Sequence, residues 1–303
     1  MHPRLSFLAL PLTRAEVPKW PKVIEMVSAD WDERLKGAWR EHAKVVMRGK
    51  RHHQLMNLDL SDWAERLTFF LGRYYELGVL ETLDLLLRPG DRFVDIGANI
   101  GMITLHARSL VGDDGRIDCF EPNPDCVAAI RANLALNAIT NVVIHPCGLG
   151  DHAGPMTLHL TSEHTGTATL AGSGEDTVRE FSVDVQIGDE ALREPPRAIK
   201  IDVEGFELQV LRGLRRTLAD SAPFVITEVI ESQLAGAGAS TSDLFELFAR
   251  QGYRAFGIGL VRNNRFRNHM VLNPIDGVAD FALFKDILWA HGDRTGELGD
   301  RVH

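Results

Sequence analysis

The chain has 303 residues, enough to bury a substantial core in one large domain or in one domain with an appendage. With 45% hydrophobic and 25% charged residues it has a globular composition, and its formal charge of −9 argues against a nucleic-acid partner, which is usually met with clustered Lys and Arg. Cys119, Cys126 and Cys147 are too few for a disulfide framework and lack metal-ligand spacing, so a reducing cytoplasm is the expected compartment.

No apolar run approaches the roughly 20 residues of a membrane span. Leu5–Leu12 is apolar, but too short and too poorly flanked for a signal peptide. Residues 1–76 read as a mainly helical appendage. Prolines at positions 11, 18 and 21 precede a predicted helix from about Asp30 to Met47. A short run at Leu55–Leu60 and a second helix from Asp62 follow, with Trp20, Trp31, Trp39 and Trp63 expected to pack this segment onto the main domain. His52 and His53 are adjacent, and adjacent side chains diverge in regular structure, so they do not form a metal pair.

From Glu76 onward helix and strand alternate. Leu77–Leu87 is an apolar-rich helix stopped by Pro89 and Gly90. Strands are predicted at 92–96 and 116–120, with a helix from about Met102 between them. Asn123–Pro124 supplies an N-cap and a first-turn proline for a helix through Ala135. Further strands are predicted at Asn141–Pro146, 198–203 and Phe224–Ile230. Leu208, Leu211, Leu214 and Leu218 line a helix after the second of these, and Asp243–Gln251 reads as another. A late strand, expected to be antiparallel, falls at Phe281–Lys285, and 291–303 reads as a polar tail. This rhythm describes a doubly wound, mostly parallel α/β sheet. Between the third and fourth strands, Met156, Leu158 and Leu160 and then Phe181, Val183, Val185 and Ile187 alternate with polar residues, which predicts an antiparallel β insertion. Its polar loop, Ser162–Asp176, is either solvated filler or a cover for the pocket mouth.

Two motifs carry chemistry. In Phe93–Gly101 a β-rich run ends at Asp95, and Gly97 and Gly101 bracket a tight turn into a helix. A Cβ there would hold the backbone away from a ligand lying across the strand end. Twenty residues on, Glu121 ends the next strand, where an acid suits the two hydroxyls of a ribose. The spacing is G-x-x-x-G rather than the G-x-G-x-x-G of a dinucleotide site, and Asp95 would repel a pyrophosphate while suiting an ammonium group. S-adenosylmethionine fits better than a nicotinamide dinucleotide. The second motif, Lys200–Glu207, puts Asp202 and Glu204 at a strand end with one residue between them. They could orient substrate hydroxyls or accept a proton, or one could cap the following helix. A divalent metal would want further oxygens, of which Glu228 is a conceivable source, and no metal is expected.

With these residues in hand the chain resembles the FkbM family of S-adenosylmethionine-dependent methyltransferases over about residues 55–285. The carriers are Leu58–Asp59 through Tyr75–Glu76, Pro89–Asp91, Phe93–Gly101, Phe120–Pro124, Gly148–Asp151 and Ile199–Gly205. The resemblance implies a seven-stranded, Rossmann-like methyltransferase domain at 77–290. It also implies methylation of a hydroxyl on a sugar or natural-product scaffold. Asp95, Gly97, Asn99 and Gly101 would border the methionine part of the cofactor, and Glu121 with Pro122 the ribose. Leu149 and Asp151 would flank the adenine, and Glu76 would close over the cofactor. A proton acceptor for the hydroxyl is sought among Asp202, Glu204 and His164. The expected partner is a small-molecule or glycan acceptor. A methyltransferase acting on protein or lipid, and a non-catalytic S-adenosylmethionine-binding module, are the alternatives.

Overall fold

The computed structural model describes residues 7–16, 39, 44–160, 168–170, 177–262 and 268–302. Its strands are β1 (Lys44–Arg48), β2 (Leu55–Asp59), β3 (Arg92–Ile96), β4 (Arg116–Phe120), β5 (Val142–His145), β6 (Gly148–Gly150), β7 (Gly154–Leu160), β8 (Ala168–Thr169), β9 (Arg179–Ile187), β10 (Ala198–Ile201), β11 (Phe224–Glu228), β12 (Tyr253–Arg262), β13 (Asn268–Ile275) and β14 (Asp286–His291). The helices are α1 (Leu10–Arg14), α2 (Trp63–Leu71), α3 (Leu77–Leu86), α4 (Met102–Val111), α5 (Pro124–Leu136), α6 (Gly188–Ala191), α7 (Glu207–Gly213), α8 (Arg215–Ser221), α9 (Glu231–Gly236) and α10 (Thr241–Arg250).

The main sheet runs β13-β12-β14-β11-β10-β3-β4-β5. Its five strands from β11 to β5 are parallel, and β14, β12 and β13 are antiparallel. This is a doubly wound α/β sheet with eight strands rather than the seven expected. The eighth, β13, returns along β12 as a hairpin and extends the sheet edge. All four residues of β10 and all five of β11 are buried, as strands covered on both faces must be. The chain leaves β3 toward β4 and β5 on one side and resumes at β10 on the other. The strand order therefore reverses between β3 and β10, and a cleft opens at their carboxyl ends. The register pairs Ile96 with Ile201, so Gly97 and Asp202 enter that cleft at the same level.

The predicted insertion is present as a second sheet, β6-β9-β7-β8, in which β7 and β9 pair antiparallel over seven residues. The early segment differs from expectation. Residues 44–47, assigned to a helix, form β1, which pairs with β2 and includes the β-branched Val45 and Val46. The rest of that predicted helix, apart from Trp39, lies outside the described residues, as do Trp20, Trp31 and His164. The described part thus combines helix with a two-stranded hairpin. Trp39, Met56 and Phe70 share one apolar cluster with Leu83 of α3 and with Phe93 and Ile226 of the main sheet. Trp63 is 40% exposed and meets only the edge of the Tyr75 ring.

The late strand is β14. The predicted segment, Phe281–Lys285, is mostly a 3-10 turn that ends at Leu283. The polar tail is also folded. Gly292–Arg301 forms 3-10 turns whose one large apolar residue, Leu298, is fully buried, and Val302 bridges Leu272. No described helix is long and apolar enough to cross a membrane.

Candidate active site

The cleft at the β3/β10 switch point holds a cavity of about 310 Å³. One side is built by the turn after β3 and by Phe120–Pro122 after β4. Gly97 adopts φ +78°, and a Cβ there would stand 1.8 Å from the Asp202 carbonyl oxygen. Close approach of the neighbouring strand end is by itself enough to require glycine here. Asn99 also has positive φ (+48°), and Gly101, at +86°, leads into α4. Among the residues expected to touch cofactor, Asp95, Gly97, Asn99, Glu121, Pro122 and Leu149 line the cavity. Gly101 shapes the turn without lining the cavity.

Glu121 is held from both sides. Its Oε2 accepts the Asn99 backbone N–H at 2.7 Å, and its Oε1 accepts that of Asn123 at 2.8 Å. Burial pushes this carboxyl up to about 7, against the pull of the two backbone donors. Asp95 is 1% exposed and accepts the Thr104 hydroxyl at 2.6 Å. Burial raises it to about 6, while Thr104 and the Lys200 ammonium act in the opposite sense.

The opposite side is formed by the residues after β10 and by Glu228, Gln233 and Lys285. Both expected acids, Asp202 and Glu204, line it. Lys200, fully buried, donates to Asp202 Oδ2 at 2.9 Å. Glu204 sits at φ +51°, receives the Gln233 amide on Oε2, and is raised to about 7 by burial, then by Asp202 and Glu207. Neither acid caps α7. Glu207, the first residue of α7, instead braces the turn before the helix, accepting the N–H groups of Val203 and Gly205 at 3.2 Å each. The insertion contributes Leu158, Ala168 and Leu170 to the wall, so the part of its loop that is described does reach the pocket.

Two expected residues are elsewhere. Glu76 is buried but does not line the cavity. It pairs at 3.2 Å with Lys285, which does line the cavity. Asp151 lies at the surface, 2.6 Å from His152. Several lining residues were given no role from sequence. Asp62 and Glu65 enter from α2, and Tyr74 and Tyr75 from the link to α3. Lys200 and Lys285 are the two cations among seven carboxylates that line the cavity. Asp202, Glu204 and Glu228 bring carboxylate oxygens within 4.8 Å of one another, as do Glu76, Glu228 and Asp286. The ammonium groups of Lys200 and Lys285 already pair with Asp202, Glu228 and Glu76, so lysines supply the counter-charge a metal would bring.

The model of the methyltransferase FkbM domain matches residues 95–255, beginning at Asp95 and including both acids at the β10 end. The chain belongs to the FkbM methyltransferase family. Among similar proteins, methyltransferase 1 of Beauveria bassiana is 30% identical over 181 residues, which is 52% of this chain and 72% of that one. The hexuronic acid methyltransferase AglP of Haloferax volcanii is 31% identical over 160 residues, 50% of this chain and 62% of its own length. A crystal structure of methyltransferase FkbM from Methylobacillus flagellatus superposes over 89% of this chain and 59% of its own, with 17% identity and a TM-score of 0.41.

Proposed function

We propose that this FkbM-family methyltransferase uses S-adenosylmethionine to methylate a hydroxyl of a sugar or natural-product small molecule. The observation that carries the reading is the pairing of two acids across one cavity. Glu121 is pre-set by main-chain donors on the β4 side, and Glu204 titrates near neutrality on the β10 side. The residues suit the cofactor's chemistry. Even with Glu65 held protonated by burial, the acids of the lining outnumber its two lysines; this favours a sulfonium and an ammonium, and would repel a pyrophosphate or a nucleic-acid backbone. When bound, S-adenosylmethionine supplies an electrophilic methyl group.

The chain's own residues do the rest. Each Glu121 oxygen has spent one lone pair on a backbone amide and keeps another for a ribose hydroxyl. Asp95, Gly97 and Asn99 border the methionine end, Pro122 adjoins Glu121 at the ribose, and Leu149 flanks the base. Of the acids at the acceptor end, Asp202 is occupied by Lys200, which leaves Glu204 as the general base. A carboxyl near pH 7 is matched to that task at neutral pH. The apolar wall of Leu158 and Leu170 orients the acceptor, so alignment contributes to the rate. AglP, named for a hexuronic acid, supports a glycan-like acceptor. The three cysteines, all free and buried, support a reducing, cytoplasmic setting.

Calorimetric titration with S-adenosylmethionine, S-adenosylhomocysteine and NAD tests the cofactor. Micromolar binding of the first two alone is expected. A panel of sugars and polyketide glycosides, read by mass for a 14 Da gain, then tests the acceptor. Binding of NAD instead, or no binding at all, would refute the reading.

A further inference from the structure

The acceptor end of the cavity continues inward as a chain of acids. Glu228 belongs to both carboxylate groups described above, so it links Asp202 and Glu204 at the cavity wall to Glu76 and Asp286 behind it. Five carboxylates thus face two ammonium groups, those of Lys200 and Lys285. In a partly buried array three uncompensated charges are costly, and retaining protons relieves the cost. Two atoms point to such protons. Glu76 Oε2 and Asp286 Oδ1 are buried and have no hydrogen-bond partner. The Glu76 side chain is 7% exposed, so bulk solvent does not reach in to supply the missing donor. A proton held within the Glu76, Glu228 and Asp286 group provides one.

We propose that this five-carboxylate, two-lysine array is the proton acceptor for methyl transfer, with Glu204 taking the hydroxyl proton and Glu228 coupling it to Glu76 and Asp286. This rests on reading the site as a methyltransferase acting on a hydroxyl. In the step, the acceptor O–H bond breaks and the proton forms an O–H bond on Glu204. The freed oxygen pair forms the O–CH₃ bond, and the carbon–sulfur pair stays on sulfur as a thioether. Glu204 touches the acceptor, whereas Glu228, Glu76 and Asp286 act through it.

The surroundings suit a shared proton. Burial raises Glu204 to about 7 and raises Asp286 as well, with Glu76 adding to the latter. The other groups facing the array keep their state across neutral pH. Burial raises the Tyr74 and Tyr75 hydroxyls, so both stay neutral, and Asp202 foremost among the neighbouring acids raises Lys200, which stays charged. Lys285 is raised also, chiefly by Glu76 against burial. Glu207 is pushed up by burial and committed to its backbone donors, and Gln233 is neutral.

The test is ¹³C NMR titration of labelled glutamate carboxyls in the full chain, beside the pH profile of kcat, for wild type, Glu228→Gln, Glu228→Asp and Glu204→Gln. Removing a charge within 4.8 Å should lower the Glu204 midpoint in Glu228→Gln by about one pH unit or more, and the acid limb of kcat should move with it. Glu228→Asp keeps the charge and should keep both midpoints. Glu204→Gln should lose at least about a hundredfold in kcat. All four proteins should bind S-adenosylhomocysteine with similar affinity by calorimetry. Unmoved midpoints in Glu228→Gln with cofactor binding intact overturn the array alone, as does near-normal turnover by Glu204→Gln. Failure of the wild type to bind cofactor overturns the methyltransferase reading and the array's role with it.

Discussion

Glu121 Oε2 lies 2.7 Å from the backbone nitrogen of Asn99, and this one contact ties the tip of β4 to the turn that follows β3. The second oxygen is fixed by Asn123, so the carboxylate is oriented before any ligand arrives. Replacing it with alanine removes the ribose partner and leaves two backbone donors without their acceptor. Glu121→Ala is expected to weaken S-adenosylmethionine binding by about 1.5–3 kcal/mol, roughly 10- to 150-fold in Kd. Calorimetry checks this, and wild-type affinity in the variant would remove Glu121 from the site.

The two turn glycines should differ in their tolerance of a methyl group. At Gly97 an added Cβ meets both a positive φ and the Asp202 carbonyl at 1.8 Å. At Gly101 it meets positive φ, but only an ordinary contact with Ile130 at 3.4 Å. Gly97→Ala should therefore cost about 3 kcal/mol or more of stability, and Gly101→Ala only about 1–2 kcal/mol. Urea denaturation of both variants measures the difference. Equal costs would mean that the β3 and β10 ends do not approach this closely.

Much of this was legible in the sequence because period and punctuation agreed. β3 and β4 stand at the residues their apolar runs marked, and the glycine turn and Glu121 converge on one cavity as their spacing implies. What escaped notice depends on contacts between segments distant in the chain. β12 carries Gly257 and Gly259 inside a strand, residues that weaken a strand reading. A Cβ on Gly257 would strike the Phe284 ring at 2.2 Å, so the glycine answers to a partner 27 residues away. Lys285 reads only as the last residue of a late strand and proves to be the counter-ion of Glu76 and Glu228. Glu65 has no pattern around it that marks a buried acid, since its environment is assembled by β2 and the cavity.

That acid makes a pH prediction. Glu65 is 7% exposed, and burial raises its carboxyl to about 8, although the Asp59 N–H at 2.6 Å pulls the other way. A carboxyl with a raised folded-state pKa contributes its stability in full below the unfolded value of about 4.5 and loses it as pH climbs through 8. Glutamine keeps an oxygen for Asp59 but cannot ionise. Glu65→Gln should therefore be more stable than wild type at pH 8.5 by roughly 2–4 kcal/mol, with little or no gain at pH 5. Urea titrations at both pH values give the comparison. Parallel stability–pH curves for the two proteins would show that Glu65 is not held neutral by the fold.

The folded C-terminal turns supply a last test. Gly292–Arg301 is polar except for Leu298, which is fully buried in the same cluster as Leu272 and Leu288. A solvated tail would leave that leucine in water and indifferent to substitution. Anchored as it is, Leu298→Ala should cost about 2–4 kcal/mol through lost burial and the cavity left behind. Leu283→Ala is the control, because Leu283 is 75% exposed and its loss should change stability by less than about 0.5 kcal/mol. Thermal unfolding reads both. If the two substitutions prove equally silent, the segment after β14 is not docked on the sheet, and the cluster at Leu272 closes without it.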